Sequence, residues 1–132
     1  MAKKRHLLTL SSLMAIAILA VVSISPATGQ TNQLPIAEVA ASPTSGAVGD
    51  WFLFDGTASV DPDGTISLFE WDFGDGTTPL SGNGDEAGMI FHTFAADGTY
   101  TVTLTVTDDG GAVNSPTDPK ATIDITIGTG TT

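Results

Sequence analysis

The sequence predicts an all-β sandwich of about seven strands, and three observations carry that prediction. From Pro35 onward, short apolar runs recur between clusters of Gly, Pro, Asp and Thr, and none keeps a helical period for ten residues or more. In Phe69-Glu70-Trp71-Asp72-Phe73 the aromatics alternate with acids, which is the period of a half-buried strand. In Tyr100–Thr107 the residues Tyr100, Val102, Leu104 and Val106 alternate with four threonines, again one apolar face and one polar face.

Each element follows from the same reading. Ile36–Ala41 is the first expected strand, with Ala37 and Val39 inward, and Pro43-Thr44-Ser45-Gly46 is an expected turn. Trp51–Asp55 follows, with Phe52 and Phe54 inward and Trp51 and Leu53 on the opposite face. Asp61-Pro62-Asp63-Gly64 is a strong turn, because proline fixes φ and glycine accepts the left-handed position. The aromatic strand is Ser67–Phe73, ended by the tight turn Gly74-Asp75-Gly76-Thr77. Pro79–Gly88 reads as a loop of Gly, Ser, Asn and acid. Met89–Phe94 is the next strand, with Ile90, His92 and Phe94 sharing one face and Met89 and Phe91 the other. After the Asp97-Gly98 turn comes Tyr100–Thr107, then a polar loop from Asp108 to Pro119, and then Ala121–Ile127 with Ile123, Ile125 and Ile127 inward.

The N-terminus has a different character. A basic start, Lys3-Lys4-Arg5, precedes an apolar stretch from Leu7 to Ile24 and small residues at Ala27 and Gly29. This is the layout of a secretory signal peptide, residues 1–29, with cleavage after Gly29. An uncleaved anchor is the alternative, since a bilayer needs about 20 apolar residues. Residues 30–34 form a leader, 35–128 the domain and 129–132 a tail. Removing the first 29 residues leaves Lys120 alone against fifteen Asp and Glu, a net charge of −14. Such a chain repels nucleic acid and anionic membranes, so neither is an expected partner once the signal is cleaved. The absence of cysteine leaves the core to hold the fold without a disulfide.

The ordered set of segments Asn32-Gln33-Leu34-Pro35-Ile36-Ala37, Phe54-Asp55-Gly56-Thr57-Ala58-Ser59, Asp61-Pro62-Asp63-Gly64, Trp71-Asp72-Phe73-Gly74-Asp75-Gly76, His92-Thr93-Phe94 and Asp97–Asp108 resembles the PKD domain. The likeness runs from about Asn32 to Ile127. It departs at Phe94, where family members often carry tyrosine, and in the length of the Pro79–Gly88 loop. The resemblance implies an immunoglobulin-like β-sandwich, extracellular and non-catalytic. Trp71, Phe73, Gly74, Asp75, Gly76, His92 and Tyr100 are then structural residues, with Tyr100 placed as a tyrosine corner.

Catalysis finds little support in the residues. His92 is the only histidine after residue 29 and reads as a core histidine, and no serine beside it lies in a nucleophile motif. Nitrogen and sulfur ligands are too few for zinc. Calcium is the sharper candidate. Asp61-x-Asp63-Gly64 opens like an EF-hand loop, but Ile66 and Asp72 stand where that loop requires glycine and glutamate. Sandwich topology instead gathers Asn32, Asp61, Asp63, Asp108 and Asp109 at one end. The resemblance implies calcium there too, since Asn32, Asp61, Asp63 and Asp108 fall on motif positions where some PKD domains bind it. Aspartates that cap their own turns are the plainer explanation. Trp51 and Phe91, if exposed, form a binding platform, and packing under a loop explains them equally well. The threonine row of Tyr100–Thr107 is ordinary outward strand chemistry. The expected function is a secreted module making protein or polysaccharide contacts. The alternative is a calcium-rigidified spacer or assembly subunit of the cell surface.

Overall fold

The computed structural model describes residues 29–128. The expected signal peptide up to residue 28 and the tail beyond Gly128 lie outside the described residues. Eight strands are described: β1 Ala40–Ser42, β2 Ser45–Ala47, β3 Phe52–Asp55, β4 Ile66–Asp72, β5 Leu80–Gly82, β6 Met89–His92, β7 Gly98–Asp108 and β8 Thr122–Gly128. They form a three-stranded sheet, β1-β3-β6, and a five-stranded sheet, β2-β8-β7-β4-β5. The fold is the all-β sandwich that the alternation predicts.

Period two explains how the sheets meet. Phe54 of β3 packs against Trp71 of β4 and Phe73, Phe52 packs on Phe94, and Phe69, Val102, Leu104, Val106, Ile125 and Ile127 are buried with them. In β7 the burial alternates from Val102 to Asp108, so the threonines lie outside. Tyr100 stacks on Phe94 with ring centroids 4.6 Å apart and donates its hydroxyl to the Ala96 carbonyl at 3.0 Å. That bond pins the turn before β7.

Four expectations need correction. Ile36–Ala41 is not one strand: Ile36 makes only an isolated bridge to Val60, and the regular strand is Ala40–Ser42. Between them the main chain binds scattered partners, Ala37 N–H to Asp118, Glu38 N–H to Ser59 and Val39 N–H to the Lys120 carbonyl. Second, Pro43-Thr44-Ser45-Gly46 is a crossing between sheets rather than a simple turn. β1 runs antiparallel to β3, while β2 runs parallel to β8. Proline lacks an N–H for the ladder, which ends β1 there. Third, the Pro79–Gly88 loop contains β5, paired with β4, and a 3-10 turn at Asp85–Gly88. Last, the strand expected to reach Phe94 stops at His92.

Candidate functional site

Two surfaces collect the residues singled out by the sequence. The first is the end of the sandwich where the β3–β4 turn, the β7–β8 turn and the segment before β1 meet. Asp108 closes β7 and is 1% exposed. One of its oxygens accepts the Ala112 N–H at 2.7 Å, and the other accepts the Asn32 side-chain amide at 2.8 Å. Asn32 can lie so close because position 110 is glycine: a Cβ there would stand 2.6–2.8 Å from the Asn32 amide atoms. Both oxygens of Asp63 accept the Gln33 N–H, at 3.1 and 3.2 Å, and the Asp63 N–H donates to Asp61 Oδ1 at 3.3 Å. Asp109 accepts the Thr65 N–H at 3.3 Å and returns its own N–H to the Thr65 carbonyl at 2.9 Å.

One atom is left over. Asp61 Oδ2 is buried and has no hydrogen-bond partner. Burial pushes the Asp61 carboxyl above the usual carboxylate range, against the pull of the Asp63 N–H, and the charges of Asp63 and Asp108 push it further. Among the described residues no three His, Cys, Asp or Glu side chains are grouped as a ready-made metal cage. As arranged, the end is a set of interlocked turns with one unsatisfied carboxylate oxygen. The residue types suit a hard cation, which takes carboxylate and amide oxygens, and the orphaned oxygen is the feature that a cation would satisfy.

The second surface is the outer face of the three-stranded sheet. Trp51 and Phe91 are 67% and 59% exposed, with ring centroids 6.4 Å apart and planes at 86°. Leu53 pairs directly with Phe91, and Met89, opposite Asp55, is also exposed. The rings thus form an open corner beside an apolar strip rather than a packed second layer.

The motif after β4 is internal architecture. Gly74 has φ +69°, and a Cβ there would meet the Thr101 carbonyl at 2.5 Å, so this turn requires glycine. Asp75 accepts the Thr77 N–H at 3.0 Å and its hydroxyl at 2.6 Å, and it lies 2.8 Å from His92 Nε2. His92 stacks on Phe73, with centroids 3.8 Å apart and planes at 3°. The histidine therefore clasps the β4 turn to β6.

These turns fix a pH dependence. The Thr57 hydroxyl and N–H hold the Asp55 carboxyl below the usual range. At Asp75 burial alone would push the carboxyl up, but the bonds from Thr77 and His92 prevail and it too lies below that range. A carboxyl depressed in the folded state stabilises the fold above its unfolded pKa of about 3.9 and loses that contribution as pH falls through its lower folded value. Asp61, raised instead, has the opposite sign: its ionised form opposes folding at neutral pH. Melting temperatures followed from pH 5 to pH 2 are expected to fall below about pH 4, less steeply in Asp75→Asn. A curve flat to pH 2 would mean that these turns do not stabilise the fold.

The family model for the PKD domain matches residues 32–125. The chain belongs to the PKD domain family. The PKD domain is a non-catalytic module, although relatives that contain it are enzymes. Collagenase ColA of Clostridium perfringens is 47% identical over 62 residues, which are 47% of this chain and 5% of that protein. A structure solved in a study of the promiscuous specificity of carbohydrate-binding modules of the β-sandwich superfamily superposes with a TM-score of 0.64 and 35% identity, covering 76% of this chain and 37% of that one. The PKD1 domain of Vibrio anguillarum Epp superposes with a TM-score of 0.57 and 29% identity, over 76% of this chain and 100% of that domain.

Proposed function

We propose that this PKD domain is an extracellular binding module that holds a polysaccharide against the Trp51–Phe91 face. The observation that carries the reading is the exposure of two large aromatics in contact on one sheet face. An indole with an open face gives a sugar ring apolar area to stack on, while the flanking main chain and Asp55 supply polar groups. The likeness to a carbohydrate-binding-module structure supports the same reading, and the collagenase relative supports a place outside the cell.

Affinity electrophoresis through gels containing soluble polysaccharides, with collagen fibrils sedimented in parallel, tests this. At least one polysaccharide is expected to retard the protein. Trp51→Ala and Phe91→Ala should each weaken binding about tenfold or more, which corresponds to about 1.4 kcal/mol. Both substitutions remove exposed side chains, so stability should change by only about 0.5 kcal/mol. Retardation that survives the double substitution would overturn the assignment, and binding to collagen alone would give the face to a protein partner.

A second reading rests on the buried, partnerless Asp61 Oδ2. Here calcium is bound at the acidic end through Asp61, Asp63, Asp108 and the Asn32 carbonyl oxygen, and it stiffens the module as a spacer or assembly subunit of the cell surface. The ion supplies positive charge that the acidic end lacks. Asn32 would have to turn its oxygen toward the ion and release Asp108.

A further inference from the structure

Strand β6 is an edge of the three-stranded sheet, and among the described residues only β3 pairs with it. The Gly56 N–H donates to the Gly88 carbonyl at 2.7 Å, one step beyond the Asp55–Met89 pair. Antiparallel pairs alternate between bonded and non-bonded, so Ile90 and His92 bond to Phe54 and Phe52. The N–H and C=O of Phe91 then point away from the sheet. Sheet edges are ordinarily blunted by proline, lysine, shortness or cover. β1, β2 and β5 are each three residues long, and β1 stops at Pro43. The four residues of β6, Met89-Ile90-Phe91-His92, include neither proline nor lysine. Beside this edge lies a cleft of about 290 Å³, lined in part by Leu80, Glu86, Ala87, Met89 and Ile90.

We propose that the β6 edge is a docking strand that pairs main chain to main chain with an extended, basic segment of a partner protein. An added strand turns alternate side chains to opposite faces, one set into the cleft beside Ile90 and the other toward Phe91 and Trp51. Charge selects the partner. Beyond Arg5 the sole basic residue is Lys120, which is held by Glu38 at 2.9 Å. Glu86 lines the cleft, and Asp55 stands opposite Met89. A second copy of this chain brings like charge to the edge, whereas a segment alternating lysine with β-branched apolar residues is complementary. A glycan has no peptide groups to pair with Phe91. The inference does not rest on the polysaccharide reading, because its pairing is made by the outward main-chain groups of Phe91, although the partner's outer side chains would lie over the same Phe91 and Trp51 rings.

The test uses a capped peptide of alternating lysine and valine, and the same peptide N-methylated on alternate residues in each of the two registers. Binding is followed by amide chemical shifts of the labelled protein at low salt. The unmethylated peptide should bind and shift Phe91 and its neighbours, and the register that blocks the pairing edge should lose about tenfold in affinity or more. Phe91→Pro should cause a similar loss with the fold kept, since it removes an outward N–H and no ladder bond. Equal affinities for all three peptides would overturn the proposal and leave only charge attraction. A dimer of the free protein that Phe91→Pro abolishes would also overturn it, giving the edge to a second copy. If Phe91→Pro fails to fold, the methylated peptides still decide.

Discussion

Trp71→Ala is expected to leave the domain largely unfolded under conditions where the parent is folded. Trp71 is 1% exposed, packs against Phe54 with centroids 6.1 Å apart, and donates its indole N–H to the Ala87 carbonyl at 3.0 Å. It therefore joins the two sheets and also anchors the 3-10 turn before β6. Replacing a buried large aromatic by alanine costs about 3–5 kcal/mol. A domain of this kind has a total stability of about 5–15 kcal/mol, and one of about 100 residues without a disulfide has little in reserve. At about 4–8 °C per kcal/mol, the melting temperature should drop by at least about 12 °C. Trp51→Ala is the internal control, because that ring is mostly in solvent and its loss should move the midpoint little. Circular dichroism melts of the two variants decide the matter. A Trp71→Ala midpoint close to the parent would remove Trp71 from its place as the pin of the core.

The legible parts of this fold are those in which a strand carries its own pattern. β4 alternates from Phe69 to Asp72, after a register shift between Ile66 and Leu68, and β7 alternates from Tyr100 to Asp108, so these inward faces could be read directly from the sequence. β2 and β5 could not be read, because Ser45-Gly46-Ala47 and Leu80-Ser81-Gly82 have neither alternation nor β-branched residues. Neighbours hold them in place: the Thr126 N–H reaches back to the Thr44 carbonyl, and β5 follows the edge of β4. Ile36–Val39 misleads in the opposite direction, since it alternates like a strand but bonds to a loop, two side chains and the Lys120 carbonyl. At the acidic end, turn chemistry and topology were enough to bring Asn32 and Asp108 together. The orphaned oxygen of Asp61 depends on atomic packing that no spacing encodes. For Trp51 and Phe91, period two fixes the face but not what covers it, and their exposure became visible only with the sheets in place.

Calcium is expected to raise the melting temperature by roughly 10–20 °C. Folding brings Asp61, Asp63 and Asp108 to one end of a chain that carries a single lysine after residue 29, and it buries one Asp61 oxygen without a partner. Both features oppose folding, and a bound divalent cation reverses both, by opposite charge and by direct ligation. A ligand that binds only the folded state adds roughly 2.7 kcal/mol at about a hundred times its dissociation constant. At about 4–8 °C per kcal/mol, that addition gives the stated rise. Chelator should remove it, and Asp61→Asn should largely abolish it while the variant still folds, because an amide carries no charge either to hold the ion or to repel Asp63. Adding Asp108→Asn should remove what remains. General screening makes a different pattern, in which sodium at matched ionic strength stabilises nearly as well and both variants still respond. Superimposable melts in calcium and chelator would leave the acidic end as a set of turn-forming aspartates, with Asp61 bearing an unrelieved cost.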